Sequence, residues 1–272
     1  MPMKNKHWGV WITHDIDHIR IREHYRDLFL FRFVGVSFLE LLQGKRSVID
    51  FIRAKLLVFQ PNRWDCFKEW IALEKKHRIK STYFFAVNRG KSLSYTREEI
   101  KPVALLLKKN GFDLALHGQE YHNEEKIRQE RELFKSITGF YPQGIRIHYL
   151  KKGAHSLKLF SKFHKFDSSE YSTELAQPKR EEGILEIPLH IMDTYLFSPF
   201  YLNLDLEDAI LYTKELFAKA KAKNNIVVFD IHPHHLDPIF PRQRKYIDWL
   251  YSHIAQDKSC KVYSSQEILG RS

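Results

Sequence analysis

Two carboxylates and two imidazoles follow the first apolar segment of the chain within a few residues. The segment Trp8–Ile12 is rich in β-branched and aromatic residues, which predicts a short buried strand. It runs into Thr13–His18, with the sequence Thr-His-Asp-Ile-Asp-His. Charged groups at a strand end are costly to desolvate unless they bind a partner, and carboxylates beside imidazoles suit a divalent ion such as zinc. The segment therefore indicates a metal centre or, alternatively, a solvated acidic loop.

Further polar side chains follow three later strand-like segments. They are His117 and His122 after the segment 112–116, Arg146 and His148 within 145–149, and Asp230 and His232 after 226–229. Active sites of parallel (β/α) barrels lie at the carboxyl ends of the strands, so we expect these groups to converge with Asp15 and Asp17. Each histidine alone is more often structural, but the whole set favours a catalytic centre.

The elements that must position these groups alternate between strand and helix patterns. Helical patterns occupy 64–78, 96–110, 124–138, 156–164, 206–223 and 242–254, and further strand patterns occupy 81–87, 184–189 and 261–263. This alternation predicts an α/β fold whose parallel sheet is closed or nearly closed into a barrel. No glycine-rich dinucleotide fingerprint follows the first strand, which disfavours a Rossmann enzyme.

Composition restricts the class of protein. The chain has 272 residues, 43% of them hydrophobic, enough for one large folded unit. Its two cysteines, Cys66 and Cys260, form no CxxC pair, which argues against a thiolate metal site and fits a reducing compartment. The first residues carry no apolar signal-peptide core, and no apolar run reaches membrane-span length. We expect a cytoplasmic protein.

The segment from Ile19 to Arg63 predicts a mostly helical insertion after the first strand. It carries nine Lys or Arg against four acidic residues, in a chain of net charge +11, and its aromatic residues are interleaved with the cations. The first interpretation is a helical lid packed on the barrel. The alternative is an interfacial segment that makes peripheral contact with an anionic membrane. No known nucleic-acid motif accompanies the basic residues, so we expect no nucleic-acid partner.

Taken jointly, the strand-end motifs resemble those of the NodB-homology polysaccharide deacetylases, carbohydrate esterase family 4. The resemblance covers the chain outside the insertion and implies a distorted (β/α) barrel over residues 1–272 with the helical insertion at about 19–63. It also implies one divalent metal, most simply zinc. The first motif is matched by His14-Asp15-Ile16-Asp17 and implies Asp15 as the general base. The implied metal ligands are Asp17, His117 and His122, with His148 as the alternative to His122.

The remaining motifs imply the other catalytic roles. Arg146 in the third motif would orient Asp15, and the backbone N–H of Tyr149 would bind the oxyanion. His232 would protonate the departing amine. By the resemblance, a carboxylate that stabilises the imidazolium form of His232 is expected at Asp167 or at Asp193.

The activity implied by the resemblance is metal-dependent removal of an N-acetyl group from a sugar. The block Pro188–Asp193 is similar to one in bacterial branches linked to surface-polysaccharide synthesis, so the implied substrate is a sugar of such a polysaccharide or of its free or lipid-linked precursor. Hydrolysis of another amide on the same metal site is an alternative. A non-catalytic glycan-binding protein is the alternative from another class.

Overall fold

A computed structural model describes residues 7–25 and 29–271. Residues 1–6, used above to judge a signal peptide, and 26–28 of the insertion lie outside the described residues. The strands are β1 (Gly9–Ile16), β2 (Ser81–Phe85), β3 (Asp113–Gly118), β4 (Gly144–Ile147), β5 (Phe166–Asp167), β6 (Lys179–Glu181), β7 (Ile184–Glu186), β8 (Ile191–Met192), β9 (Ile226–Asp230) and β10 (Lys261–Val262). The helices are α1 (Phe29–Leu42), α2 (Val48–Leu57), α3 (Phe67–His77), α4 (Arg97–Lys109), α5 (Glu124–Thr138), α6 (Ser156–Phe160), α7 (Asp193–Phe197), α8 (Leu206–Lys223), α9 (Pro241–Gln256) and α10 (Ser265–Leu269).

The strands form one curled sheet in the order β6-β7-β5-β4-β3-β2-β1-β9-β8, and β10 pairs with the start of β1. Every pairing is parallel except that of β6 with β7. Parallel strands need helical crossovers, and these cover the outside of the sheet. The distorted (β/α) barrel predicted from the sequence is confirmed.

The alternation of side chains along β1 separates the two sides of the sheet. Trp11 packs inside the curl against Phe84 and Phe166, and Asp15 lies on the same side. Residues of opposite parity, Val10 and Ile12, pack outward among residues of α3, α8 and α9. The period of two therefore aims Asp15 into the barrel.

The segment between β1 and β2 is held on the barrel by one side of a helical hairpin. Phe33 of α1 and Ala54 of α2 pack with Trp64, Ile239 and Phe240. Arg46, between the two helices, donates to the carbonyl of Ile239 and forms an ion pair with Glu40. The other side of the hairpin is exposed.

Helix positions agree with the sequence patterns better than strand lengths do. Both the Thr96 capping box of α4 and the Asp205 N-cap of α8 are formed as expected. The first strand continues to Ile16 instead of ending at Ile12, so Asp15 belongs to the strand and Asp17 follows it. Among the described residues, no helix is both long and apolar enough to cross a membrane.

Candidate active site

Three predicted residues meet at the carboxyl end of the sheet. One ligand atom from each of Asp17, His117 and His148 lies within 4.8 Å of the other two. His117 Nε2 and His148 Nδ1 lie 3.4 and 3.5 Å from Asp17 Oδ1, which is buried and accepts no hydrogen bond from the described residues. A buried carboxylate oxygen without a donor is costly, and two imidazoles with one carboxylate form a donor set that zinc accepts.

Two backbone carbonyls fix which nitrogen of each imidazole faces this carboxylate. His117 Nδ1 lies 3.1 Å from the carbonyl of Arg146, and His148 Nε2 lies 2.9 Å from that of Lys91. Each outer nitrogen therefore carries the proton that it donates, and the inner nitrogens, 2.9 Å apart, present lone pairs when both rings are neutral. Burial alone would lower the pKa of His117, but the charges of Asp15 and Asp17 raise it, so without a metal the inner nitrogen of His117 can hold a proton and donate it to His148. The residues present thus fit a divalent metal.

His122, the preferred third ligand in the sequence, does not lie in this cluster. It is exposed and its ring packs on Tyr121, with centroids 3.8 Å apart. The loop after β3 is set by Glu120, whose carboxylate accepts the backbone N–H groups of residues 121–123. The loop directs His122 away from the barrel axis, and the geometry instead favours the alternative, His148.

A second group surrounds the proposed base. Arg146 is fully buried, and its Nη1 lies 2.9 Å from Asp15 Oδ1 and 3.3 Å from Asp230 Oδ1. Asp230 Oδ1 also accepts the backbone N–H of Asp15. Burial, and next the charge of Asp15, raise the pKa of Asp230 to about 7. Asp230 therefore positions Asp15 as well as ending its strand.

The predicted acid, His232, follows β9, the strand that pairs with β1. His232 Nδ1 is 2.6 Å from Asp193 Oδ1, and its Nε2 is 3.5 Å from Asp17 Oδ2. His235 Nδ1 is 2.6 Å from the other oxygen of Asp193. Burial alone would lower the pKa of His232, but the charges of Asp193 and Asp230 raise it well above its ordinary value.

Asp167, the other expected partner of His232, lies elsewhere. It pairs in register with Ile145 on the helix-covered side of the sheet, opposite to Phe166, and accepts a hydrogen bond from Ser169 Oγ at 2.6 Å. Burial raises the pKa of Asp167 beside the buried carboxyl of Glu186, which pairs with Lys152 at 2.6 Å. Asp193 alone of the two expected carboxylates reaches His232, because it starts α7 directly after β8, the strand next to β9.

One pocket of about 350 Å³ is lined by the proposed base, acid and metal ligands and by the two residues that pair at Asp193, namely Asp15, Asp17, His117, His148, Asp193, His232 and His235. Tyr149 lines it from a turn in the left-handed region (φ 60°), and its hydroxyl lies 3.0 Å from Ser92 Oγ. Aromatic rings of Tyr195, Tyr201 and Phe240 form another wall. The inner side of α1 contributes Phe33 and further side chains, so the insertion closes one side of the pocket.

From the sequence, His235 is expected to be a structural or rim residue, and Asp230 either orients His232 or only ends its strand. The signal for His235 was available, since it follows His232 by three residues and a short helical turn places i and i+3 on one side. Asp230 gave no such signal, because a strand-terminal aspartate is common. Its role depends on the register of β1 with β9, where Thr13 pairs with Asp230.

Comparisons with known proteins support the fold. No family model and no curated protein matches the chain. Among solved structures, a protein from Mycobacterium smegmatis assigned as a polysaccharide deacetylase is 15% identical, with a TM-score of 0.67 over 99% of this chain and 92% of that chain. The PuuE allantoinase is 13% identical, with a TM-score of 0.63 over 100% of this chain and 91% of that chain.

A third similar structure limits what the fold implies about activity. A family 4 pseudoenzyme from Bacillus anthracis is 10% identical, with a TM-score of 0.54 over 97% of this chain and 66% of that chain. Deacetylase, allantoinase and pseudoenzyme thus share this architecture, so activity must be argued from the side chains. The chain has the fold of the polysaccharide deacetylases of carbohydrate esterase family 4.

Proposed function

We propose that this protein is a metal-dependent hydrolase that removes the N-acetyl group of a sugar in a bacterial surface polysaccharide or in its free or lipid-linked precursor. The observation that carries the proposal is the convergence of His117 Nε2 and His148 Nδ1 on Asp17 Oδ1, with both outer nitrogens donating to backbone carbonyls. Beside this cluster lie Asp15, which is held by Arg146, and His232, which is held by Asp193. The proposal treats residues 1–272 as one functional unit in the cytoplasm.

Asp17, His117 and His148 would hold the metal. A divalent ion bound there polarises an amide carbonyl and makes a neighbouring water more acidic. Zinc is the simplest occupant for this donor set. Outer-nitrogen hydrogen bonds to the carbonyls of Arg146 and Lys91 keep both imidazoles in the tautomer that can bind it.

Asp15 takes the proton from the attacking water. Arg146 holds one of its oxygens at 2.9 Å, which keeps the carboxylate oriented. The other oxygen is 3.7 Å from His117 Nδ1, beside the ligand set. The water oxygen bonds to the acetyl carbon, and the backbone N–H of Tyr149 is assigned to the oxyanion by resemblance to the family.

His232 gives a proton to the amine nitrogen as the carbon–nitrogen bond breaks. The products are acetate and the free amino sugar, so atoms and protons balance with one water consumed. An unprotonated amide anion is a very poor leaving group, which is why an acid is needed on this side. Asp193 favours the imidazolium form and directs Nε2 of His232 to the pocket.

The pocket suits a sugar ring. Tyr195 and Tyr201 stand with ring centroids 4.4 Å apart, and their faces can cover the apolar C–H surfaces of a pyranose. A volume of about 350 Å³ is sufficient for one or two sugar units of the substrate.

The first test is metal content per chain by elemental analysis together with acetate release from N-acetylated sugars. The wild type should hold about one ion per chain, and His148→Ala should lose both the metal and acetate release. His122→Ala is the matched control and should keep both. Retention of metal by His148→Ala and its loss from His122→Ala would reverse the ligand assignment.

The two alternatives are outcomes of the same test. Metal binding without acetate release, but with hydrolysis of a linear or cyclic amide, would favour the other hydrolase. No metal in the reconstituted wild type, with glycan binding retained, would replace the enzyme by a glycan-binding protein. The presence of both Asp15 and His232 in the pocket argues against this second outcome.

A further inference from the structure

We propose that the exposed side of the α1–α2 hairpin docks on an anionic lipid bilayer. We call it the α1–α2 face and define it by Phe31, Phe38 and Leu42 of α1 and Ile49, Ile52 and Leu56 of α2. The proposal concerns a surface outside the pocket, and it does not depend on the reaction proposed above.

The α1–α2 face holds an unusual share of the exposed apolar side chains. Of the 17 large apolar residues that are exposed in the described chain, nine lie between residues 31 and 59. Phe31 and Ile49 are each 77% exposed. A folded protein rarely exposes so many large apolar groups together without a partner for them.

Helical spacing brings these residues onto one side of each helix. Phe31, Phe38 and Leu42 are separated by seven and four residues, and Ile49, Ile52 and Leu56 by three and four, both of which return to the same helix side. Phe38 also meets Phe51 of α2, with ring centroids 6.1 Å apart, so the two stripes join. Gly35 lies within the α1 stripe, and a Cβ added there meets no atom within 4 Å.

Buried ion pairs and apolar contacts fix the hairpin on the barrel, so its exposed side keeps a defined position on the protein surface. Arg46 pairs with Glu40, and Glu40 pairs in turn with Arg242 of α9 at 2.8 Å. All three groups are buried. The opposite side of the hairpin packs through Phe33 and Ala54 into the cluster that contains Phe240.

The charge around the face selects the occupant. Residues 29–59 contain five Lys or Arg and two acidic residues, and one of each, Arg46 and Glu40, is buried in ion pairs, which leaves four cations and one acid. Arg53 is exposed and Lys55 covers the ring of Phe51 at 4.2 Å, whereas Arg32, also exposed, lines the pocket and lies over the ring of Phe200. Cations around an apolar helix face match anionic headgroups above acyl chains. A two-fold contact with a second copy would set these like charges against each other.

Docking in this way places the pocket near the bilayer. Val36 and Phe33 of α1 line the pocket, while Phe31 and Phe38 of the same helix point outward. One helix thus separates the reaction site from the lipid surface. A substrate carried by a lipid would reach the pocket without leaving the membrane interface.

The experiment is sedimentation of the full chain with vesicles, without sugar and with no metal added. Vesicles of equal parts phosphatidylcholine and phosphatidylglycerol should bind the protein, and phosphatidylcholine alone should bind it much less. The double variant Phe31→Ser/Ile49→Ser should lower the partition coefficient about tenfold or more. Leu105→Ser/Leu211→Ser, which removes exposed apolar groups elsewhere, should leave it unchanged.

Two variants of opposite charge at Gly35 test the electrostatic contribution to vesicle binding, because a side chain at this position meets no neighbouring atom. Gly35→Glu should weaken binding to the anionic vesicles, and Gly35→Lys should retain or strengthen it, since both side chains enter open space. Failure of the wild type to bind anionic vesicles would overturn the proposal, as would equal binding by Phe31→Ser/Ile49→Ser. So would a wild-type dimer in light scattering that this double variant dissociates, because the face would then belong to a second copy.

These outcomes are independent of the catalytic proposal. All four variants should release acetate from a soluble N-acetylated sugar at the wild-type rate, because none of the changed residues lines the pocket. Vesicle binding without acetate release would leave the docking surface standing and remove the deacetylase. Acetate release without vesicle binding would do the reverse.

Discussion

Asp193 contacts the imidazoles of both His232 and His235 at the edge of the pocket. Its two oxygens are each 2.6 Å from a ring nitrogen, of His232 and of His235, and one also accepts the backbone N–H of His232. Burial alone would raise the pKa of Asp193, but the charges of His235 and His232 hold it below its usual range. The carboxylate therefore stays ionised and fixes the direction of the His232 ring.

We predict that Asp193→Asn lowers kcat about 10²- to 10⁴-fold with little change in KM, since the amide cannot stabilise the imidazolium and leaves the ring free to choose the wrong tautomer. The measurement is steady-state acetate release. Asp167→Asn is the matched control, because Asp167 is an equally buried aspartate of the same barrel that does not contact His232.

Thermal unfolding must accompany both variants, since each removes a buried charge. The kcat values of the variants are compared with that of the wild type only for protein that is folded and metal-loaded. If Asp167→Asn reduced kcat as much as Asp193→Asn in folded protein, the pairing of His232 with Asp193 would not be the source of the effect.

The sequence could identify most of the site residues but not the choice between neighbours of the same type. His122 and His148 were both candidates for the third ligand. The choice depends on the turn after β3 that Glu120 stabilises and on the register of β4 with β3. A sequence motif specifies neither of these. Likewise Asp167 and Asp193 were both candidates for the partner of His232, and only the order of β8 beside β9 selects Asp193.

At the scale of elements, β1 is held to the helical layer by one buried carboxylate. Glu74 of α3 lies 3.0 Å from His14 Nε2 and accepts hydrogen bonds from Tyr83 of β2 and Tyr251 of α9. The ring of His14 also stacks on Tyr83 at 4.4 Å. His14 thus has a structural role beside Asp15, the proposed base on the other side of the strand.

We predict that Glu74→Ala lowers the free energy of unfolding by about 3 kcal/mol or more, because three buried polar groups lose one shared acceptor. Glu74→Gln should cost less, as one acceptor oxygen remains. The measurement is urea unfolding at neutral pH.

Glu69→Ala on the same helix is the control for this variant. Glu69 is exposed and pairs with Arg244 at the surface, so its removal should cost no more than about 1 kcal/mol. Equal losses for the two variants would mean that the buried network contributes no more than a surface ion pair.

Helices were predictable where local chemistry decides them, and strands were less so. The interior of α5 and its end at Gly139 follow from an amphipathic pattern and a left-handed glycine. The two-residue strands β5 and β8 have too few residues for any period. They form because β4 and β9 each have an edge with which a further short strand can pair.

At the scale of the whole molecule, buried neutral histidines link stability to pH. Burial lowers the pKa of His164 to about 3 and that of His190 to about 4, from an ordinary 6.5. His190 has both ring nitrogens in hydrogen bonds to backbone groups, one of them from Val228 of β9. The folded protein therefore does not take up protons that the unfolded chain binds below pH 6.5.

We predict that acidification from pH 7 to pH 5 lowers the free energy of unfolding by about 2 kcal/mol through His164. A folded pKa below the unfolded value means that this contribution is fully present above pH 6.5 and is lost as the pH falls toward 3. His164→Leu should flatten that part of the curve in urea unfolding of metal-free protein. His155→Leu, at an exposed position, should leave the slope unchanged. A His164→Leu protein that loses as much stability as the wild type between pH 7 and pH 5 would show that His164 already binds its proton in the folded state.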